Sequence, residues 1–268
     1  MQLHSAAVAA GYRLASHETL GSTNAEALAL ARRGEHGPLW ITARRQTAGR
    51  GRRGGAWVSP SGNLYATLLL GDPAPAECAP ELSFVTALAV HDAILDLAAG
   101  LRYALMLKWP NDILWGGAKL AGILIEGERV ADKFAVAIGV GVNCLHHPAQ
   151  TAYPATDLAA ACGAHVSAED LFAALSRRMV ERLAQWAKGA GFAVIRADWI
   201  ARAAGIGNDM RVRLSGREFL GRFEALDEQG RLLLRFADGR LQAITAGEVF
   251  PVASAPPPAH PPATGRVD

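Results

Sequence analysis

The chain has 268 residues, half of them apolar, with 27 basic against 25 acidic side chains. That is enough for a sizeable core, and a net charge of +2 argues against a surface built throughout for nucleic acid, so any basic character is local. Cys78, Cys144 and Cys162 are odd in number, scattered and lack C-x-x-C spacing, which suggests a reducing cytosol and not a disulfide framework or a zinc site.

The opening MQLHSAAVAAGYRL has no basic leader region, and nowhere does the chain approach the roughly 18 uninterrupted apolar residues of a membrane helix. A cytoplasmic protein with no membrane partner is expected. About 20 residues precede Ser22, too few for a helix-turn-helix domain, so no DNA partner is expected either. Thr23-Asn24-Ala25-Glu26 has the capping-box pattern T-x-x-E and predicts a short helix ending near Gly34. PLWITA (38–43) reads as a strand leading into the loop QTAGRGRRGGAW (46–57), and GNLYATLLL (62–70) as the strand that follows. Residues 81–99 predict a helix with Leu82, Val85, Leu88, Ala89 and Ile94 at apolar spacing, stopped by Gly100.

Four strands come next: YALMLKW (103–109), DILW (112–115), KLAGILIE (119–126) and FAVAIGVGVN (134–143). Gly116-Gly117 marks a tight hairpin between the second and third. Residues 168–188 and about 192–203 predict two helices. From Asn208, short strands alternate with turns: MRVRLS, EFLGRFEAL, RLLLRFA and RLQAITAGEVF, with Asp238-Gly239 as a hairpin dipeptide. This texture suggests a small β-barrel or sandwich. Three regions are expected: a larger domain over 1–205, a small β domain over 206–252, and a disordered Pro/Ala-rich tail over 253–268.

Gly49-x-Gly51-x-x-Gly54 matches the dinucleotide-binding spacing, but no helix opens after it. Pro60 and Gly62 break the segment, and a helix N-terminus is what that fingerprint needs. What remains is a glycine loop carrying Arg50, Arg52 and Arg53, suited to gripping phosphate or carboxylate oxygens. A solvated basic turn and an RGG-like RNA contact stay open at this point. Of the 27 basic residues 23 are Arg, and two of the four lysines, Lys108 and Lys119, flank one motif, KWPNDILWGGAKLAG. A hairpin there can bring Asn111, Asp112 and Lys119 to one end of a sheet, a cluster suited to phosphate and metal or to activating an amine. An Asn-Asp turn with two solvated lysines is the alternative. Gly122, Gly139 and Gly141 mark either close ligand approach or tight packing. Ser22, Thr23 and Asn24 are either a helix cap or a polar ligand site.

Taken together and in order, STN, QTAGRGRRGGAW, KWPNDIL, KLAGILIE and GVGVN, spanning residues 22–143, resemble the biotin–protein ligases. The resemblance implies an α+β fold: a class II aminoacyl-tRNA-synthetase-like mixed sheet with helices, plus a C-terminal SH3-like β-barrel. By that resemblance the chain looks like the ligase-only form, and the DNA-binding domain some members carry is not expected. The implied reaction has two steps, biotin and ATP giving biotinyl-5′-AMP, then transfer to a lysine on the biotin-carrier domain of a carboxylase. Fixed positive charge from Arg50, Arg52, Lys119 and Mg²⁺ suits the anionic transition state.

The resemblance assigns catalysis to Lys119, Arg52 and Asp112, with Asp112 accepting a proton from, or orienting, the incoming lysine. Biotin falls to Ser22, Thr23, Asn24, Gln46, Arg50, Gly51, Arg52, Lys119 and Gly122. ATP falls to Arg50, Arg53, Trp57, Lys108, Asn111 and Asn143. One departure is Gly55, which stands where the last Arg of GRGRRGR-x-W is common, leaving the loop one charge short. Two alternatives stand beside this assignment: a lipoate or octanoate ligase or transferase of the same fold, and an RNA-binding module using the RGG-like loop. Monomer and homodimer are both open, the latter through a strand edge near FAVAIGV (134–140).

Overall fold

The computed structural model describes residues 1–149, 151, 153–163, 166–214 and 217–252. Its larger sheet has seven strands: β1 (Arg13–Leu20), β2 (Leu39–Gln46), β3 (Leu64–Gly71), β4 (Leu105–Lys108), β5 (Asp112–Trp115), β6 (Ala118–Val130) and β7 (Lys133–Val142). Their order is β1-β2-β3-β7-β6-β5-β4. The central strands β3 and β7 are buried on both faces, which is why they read as unbroken apolar runs. The segment FAVAIGV lies in β7 and pairs with β3 on one side and β6 on the other. It offers no edge for a second copy, so the dimer contact expected there is corrected.

All neighbouring pairs are antiparallel except β1 and β2. These run parallel and are joined through helix α2 (Thr23–Arg32), since a parallel pair needs a crossover. Strand β1 had no apolar signature because RLASHETL lies at the sheet edge, half exposed. The short helix α1 (Ser5–Ala9) precedes it. Helix α2 packs on one face of the sheet through Ala27, Leu28 and Ala31, against Ile41, Leu69 and Ala137. The other face carries α3 (Glu81–Leu97), α5 (Ala168–Trp186) and α6 (Phe192–Ile200); the short α4 (Leu158–Cys162) comes between α3 and α5 in the chain. Trp40 meets Phe172 edge-on at 5.4 Å, and Phe84 meets Phe192 at 5.5 Å and Trp199 at 5.3 Å, the geometry aromatic quadrupoles prefer. Helix α3 ends before Gly100, because Ala98 already leaves helical angles (φ −143°, ψ 63°).

The hairpin between β5 and β6 is as expected: Gly116 and Gly117 both have positive φ (56° and 80°), as a type I′ turn requires. A second, five-stranded antiparallel sheet follows: β8 (Asp209–Leu214), β9 (Arg217–Leu226), β10 (Leu232–Arg235), β11 (Leu241–Ile244) and β12 (Glu248–Pro251), in the order β11-β10-β9-β8-β12. The single strand expected over RLQAITAGEVF is therefore two. The break at 245–247 lets β11 pair with β10 while β12 crosses to β8. Leu107 of β4 ties the larger sheet to the segment that leads into the second: its N–H donates to the Arg202 carbonyl (2.8 Å) and its carbonyl accepts from Ala204 (2.7 Å). Trp109 Nε1 also donates to the Gly230 carbonyl (3.0 Å). The expected disordered tail over 253–268 lies outside the described residues. No helix among the described residues is long and apolar enough to cross a membrane.

Candidate active site

The start of α2 forms one wall of the site. Ser22 has extended backbone (φ −156°), and its Oγ accepts from the N–H of Ala25 (3.4 Å). Ser22 is therefore the N-cap, one residue earlier than the T-x-x-E pattern implied. The shift places Thr23 in the first turn, with its side chain released from capping. Gln46, at the end of β2, accepts through Oε1 from the Thr23 N–H (2.8 Å) and donates through Nε2 to Ser59 (3.0 Å). Asn24 is almost fully buried. Its Nδ2 donates to the Leu124 carbonyl (3.2 Å) and to Glu126 (2.8 Å), and its Oδ1 accepts from Thr67 (2.6 Å). Gly139 in β7 makes room: a Cβ there would lie 2.3 Å from Asn24 Oδ1.

The glycine loop folds over this wall. It is closed on itself by Gly51 N–H to Gly55 carbonyl (2.6 Å) and Trp57 N–H to Gly49 carbonyl (2.9 Å). Arg50 pairs with Glu126 at 2.9 Å. Arg52 Nη1 donates to Asn111 Oδ1 (3.1 Å) and to the Gly247 carbonyl (3.3 Å), so it bridges the larger sheet and the smaller. Burial, and then the neighbouring charge of Arg53, pull the Arg52 pKa down, while Asp112 and Glu248 oppose them. The guanidinium is thus fixed and partly desolvated, a state in which its charge acts strongly on an anion. Trp57 lies flat on the sheet, where Gly122 and Gly141 leave space. A Cβ on Gly141 would sit 2.6 Å from its Nε1. That indole N–H is buried with no hydrogen-bond partner.

The opposite wall is the β4–β5–β6 corner. Register pairs Lys108 with Asp112 across β4 and β5, and Asp112 with Gly122 across β5 and β6. The Trp109–Pro110 peptide bond in the connecting turn is cis. Asp112 stands between two ammonium groups: Lys119 Nζ is 2.6 Å from Oδ1, and Lys108 Nζ is 3.7 Å from Oδ2. Oδ1 accepts no well-aligned hydrogen bond, so the Lys119 contact is ionic and its acceptor capacity is not saturated. Lys108 is nearly buried, and desolvation lowers its pKa, with the charge of Asp112 acting against that and Lys119 with it. Its Nζ lies 4.0 Å above the Tyr153 ring and 5.5 Å from that of Phe250, where aromatic faces compensate part of the lost hydration. Lys119 Nζ is 5.4 Å from the Trp57 ring.

These walls enclose a cavity of about 270 Å³. Thirteen sequence-predicted residues line it: Ser22, Thr23, Asn24, Gln46, Arg50, Gly51, Arg52, Trp57, Lys108, Asn111, Asp112, Lys119 and Gly122. Arg52 and Lys119, on opposite walls, face the same space. Two residues expected to contact the nucleotide do not line this cavity. Arg53, at φ 55° on the loop, is exposed and outside the lining. Asn143 is buried and spends its Nδ2 on the Thr156 carbonyl (2.9 Å), which fastens the chain segment carrying Tyr153. Sequence reasoning missed Thr67, Glu126, Tyr153 and the stretch Gly247–Phe250. Only GILIE, which ends at Glu126, carried any signal: an acid closing an apolar strand. Among the described residues no group of three His, Cys, Asp or Glu side chains is arranged to hold a metal ion.

The chemistry on offer is specific. A capped helix start carrying two hydroxyls with lone pairs to spare can pair a small polar ring, and a glycine-backed floor can take an apolar body. Beyond them, two cations from opposite walls can hold a carboxylate against a phosphate. Comparison with known proteins agrees. Residues 15–143 match the biotin/lipoate A/B protein ligase family, and residues 205–250 match the biotin protein ligase C terminal domain. The chain is 44% identical over 238 residues to the biotin–[acetyl-CoA-carboxylase] ligase of Paracoccus denitrificans, covering 85% of this chain and 96% of that one. It is 36% identical to the Mycobacterium tuberculosis protein of the same name, covering 85% of each. Among solved structures, the biotin protein ligase of Aquifex aeolicus in complex with biotin and ATP is similar with a TM-score of 0.74 at 26% identity, over 89% of this chain and 97% of that one. The chain belongs to the biotin/lipoate A/B protein ligase family and, within it, to the biotin protein ligases.

Proposed function

We propose that this enzyme joins biotin to ATP as biotinyl-5′-AMP and then passes the biotinyl group to a lysine on the biotin-carrier domain of a carboxylase. The observation that carries this reading is the shared cavity of Arg52 and Lys119, with Asp112 between the two lysines. The ureido ring of biotin pairs with Ser22, Thr23 and Gln46 at the start of α2, and its apolar body lies toward Gly122 and Trp57. The carboxylate then reaches Lys119 and Arg52. A carboxylate oxygen attacks the α-phosphorus as the bond to pyrophosphate breaks. Arg50, Arg52 and Lys119 hold the charge that builds there, and Asn111 and Lys108 hold the nucleotide. Interactions of this kind contribute on the order of 10²–10³ in rate per donor.

In the second step the acceptor amine attacks the acyl carbon, the C–O bond to AMP breaks, and the amine gives up a proton. Asp112 orients that amine and takes its proton. Mg²⁺ accompanying ATP would be held by phosphate oxygens and one or two carboxylates, for which Asp112 and Glu248 line the cavity. When bound it neutralises phosphate charge. DNA and membranes have no part in this reading. The test is a panel of acids (biotin, lipoate, octanoate) in ATP–pyrophosphate exchange, followed by mass spectrometry of a carrier domain. Exchange with biotin alone and a single biotinyl adduct are expected. Exchange with lipoate or octanoate instead of biotin refutes the substrate assignment.

A further inference from the structure

One carboxylate that joins two elements at the biotin end of the cavity does not line it. Glu126, on β6 behind the lining, accepts on Oε2 from Asn24 Nδ2 (2.8 Å) and from Arg50 Nη2 (2.9 Å). Both neighbours of Asn24 Nδ2, the Glu126 carboxylate and the Leu124 carbonyl, only accept. The amide orientation is therefore fixed, and Oδ1 faces Thr67 Oγ1 at 2.6 Å. An amide oxygen cannot donate, so the single hydroxyl proton of Thr67 goes to Asn24. The 2.8 Å contact between the Thr67 and Thr23 hydroxyls then uses the proton of Thr23, for which Gln46 Oε1, at 3.2 Å, is the more distant acceptor. Thr67 is fully buried at the centre of β3, where no water can substitute for any of these partners.

The proton count gives a directional chain. Thr23 donates to Thr67, Thr67 to Asn24, and Asn24 to Glu126, which also holds Arg50 at the root of the glycine loop. Having sent its proton inward, Thr23 Oγ1 offers only lone pairs to the cavity, and so suits a ring N–H. Each donation in such a chain strengthens the next. We propose that Thr67 and Glu126 are positioning residues that couple recognition of the ligand's ureido N–H at Thr23 to the seating of Arg50 in the loop. The proposal rests on the cavity taking biotin, as argued above. Neither residue touches the ligand, and Thr67 does not touch the loop.

Four variants, Thr67→Val, Thr67→Ser, Glu126→Gln and the Thr67→Val/Glu126→Gln double, test this together with wild type. Two quantities are read: KM for biotin and for ATP in pyrophosphate exchange, and hydrogen exchange over residues 47–56 with and without saturating biotin. Thr67→Val and Glu126→Gln are each expected to raise KM for biotin about tenfold, with KM for ATP unchanged, as expected for one lost buried or charge-assisted hydrogen bond. Thr67→Ser, which keeps the hydroxyl, is expected within about twofold of wild type. Biotin should slow exchange of the loop in wild type and fail to do so fully in either single variant. The double variant should stay near a single one, because both break one chain. Wild-type loop protection in Thr67→Val, or effects that multiply in the double variant, overturn the coupling and leave the biotin assignment standing. A wild type inactive with biotin overturns both. Should Thr67→Val not fold, Glu126→Gln, whose side chain is partly exposed, still decides through its KM and loop exchange.

Discussion

Gly139→Ala is the sharpest perturbation the biotin pocket offers. The new methyl would lie 2.3 Å from Asn24 Oδ1 and 2.9 Å from its Cγ, against an ordinary contact of about 3.5 Å. Asn24 must retreat by about 1 Å, which breaks its bonds to Thr67 (2.6 Å) and Glu126 (2.8 Å) at about 1–3 kcal/mol for each buried group left without a partner. Asn24 is only 3% exposed, so water cannot step in. Taking the middle of that range for the two groups, the variant loses about 4 kcal/mol, a fall in Tm of about 8–16 °C for a chain of this size. Because Thr23 depends on the same network, biotin affinity should fall about tenfold to a hundredfold. Differential scanning calorimetry and isothermal titration with biotin read the two effects. Adding Asn24→Ala removes the clash, so Tm should recover in part while biotin binding stays weak. Wild-type Tm and wild-type biotin affinity in Gly139→Ala would refute the packing argument and the place given to Asn24.

Three further outcomes are expected. Gly141→Ala should push Trp57 off the sheet, since the methyl would lie 2.6–3.0 Å from three of its ring atoms; indole fluorescence should shift and KM for ATP rise, with far-UV circular dichroism unchanged. Lys108→Met keeps the stem that packs near Tyr153 and removes a charge whose burial is unfavourable; it should fold with wild-type or higher Tm and raise KM for ATP by about tenfold, from one lost charge-assisted contact. The Glu35 carboxyl is held at about 2 by its hydrogen bond from Arg13, a lowering that burial opposes. A lowered folded pKa gives stability that is present above the ordinary value and lost as pH falls toward 2. Arg13→Ala should therefore destabilise slightly at pH 7, by less than about 1 kcal/mol for so exposed a pair. It should match wild type in Tm near pH 2, and a gap that persists there would contradict the assignment.

Much of the site was legible because it is local in the chain. The glycine loop, the KWPND corner and the Gly116-Gly117 turn each announce their geometry within a dozen residues, and the structure brings Arg52, Asp112 and Lys119 to one cavity. What was not legible depends on contacts between distant segments. The Arg52 bond to the Gly247 carbonyl spans 195 positions, so nothing near either end signals that the second sheet closes the cavity. Thr67 sits among leucines as an ordinary strand threonine, and only folding reveals that its hydroxyl completes a buried chain. Edge strand β1 escaped notice because its partner β2 supplies the register that its own composition does not. Arg53 and Asn143 show the converse: residues of the right type in the right motif, one turned outward by the loop and one used to fasten a neighbouring segment.

The central claim, that cations from two walls jointly hold the carboxylate–phosphate junction, is tested most directly by biotin-dependent ATP–pyrophosphate exchange without acceptor protein. Wild type, Arg52→Ala, Lys119→Ala and the double variant are compared. Each single change is expected to slow exchange by about 10² or more, with the double no worse than the product of the two and all four proteins equally folded. Exchange at the wild-type rate in both Arg52→Ala and Lys119→Ala would contradict it.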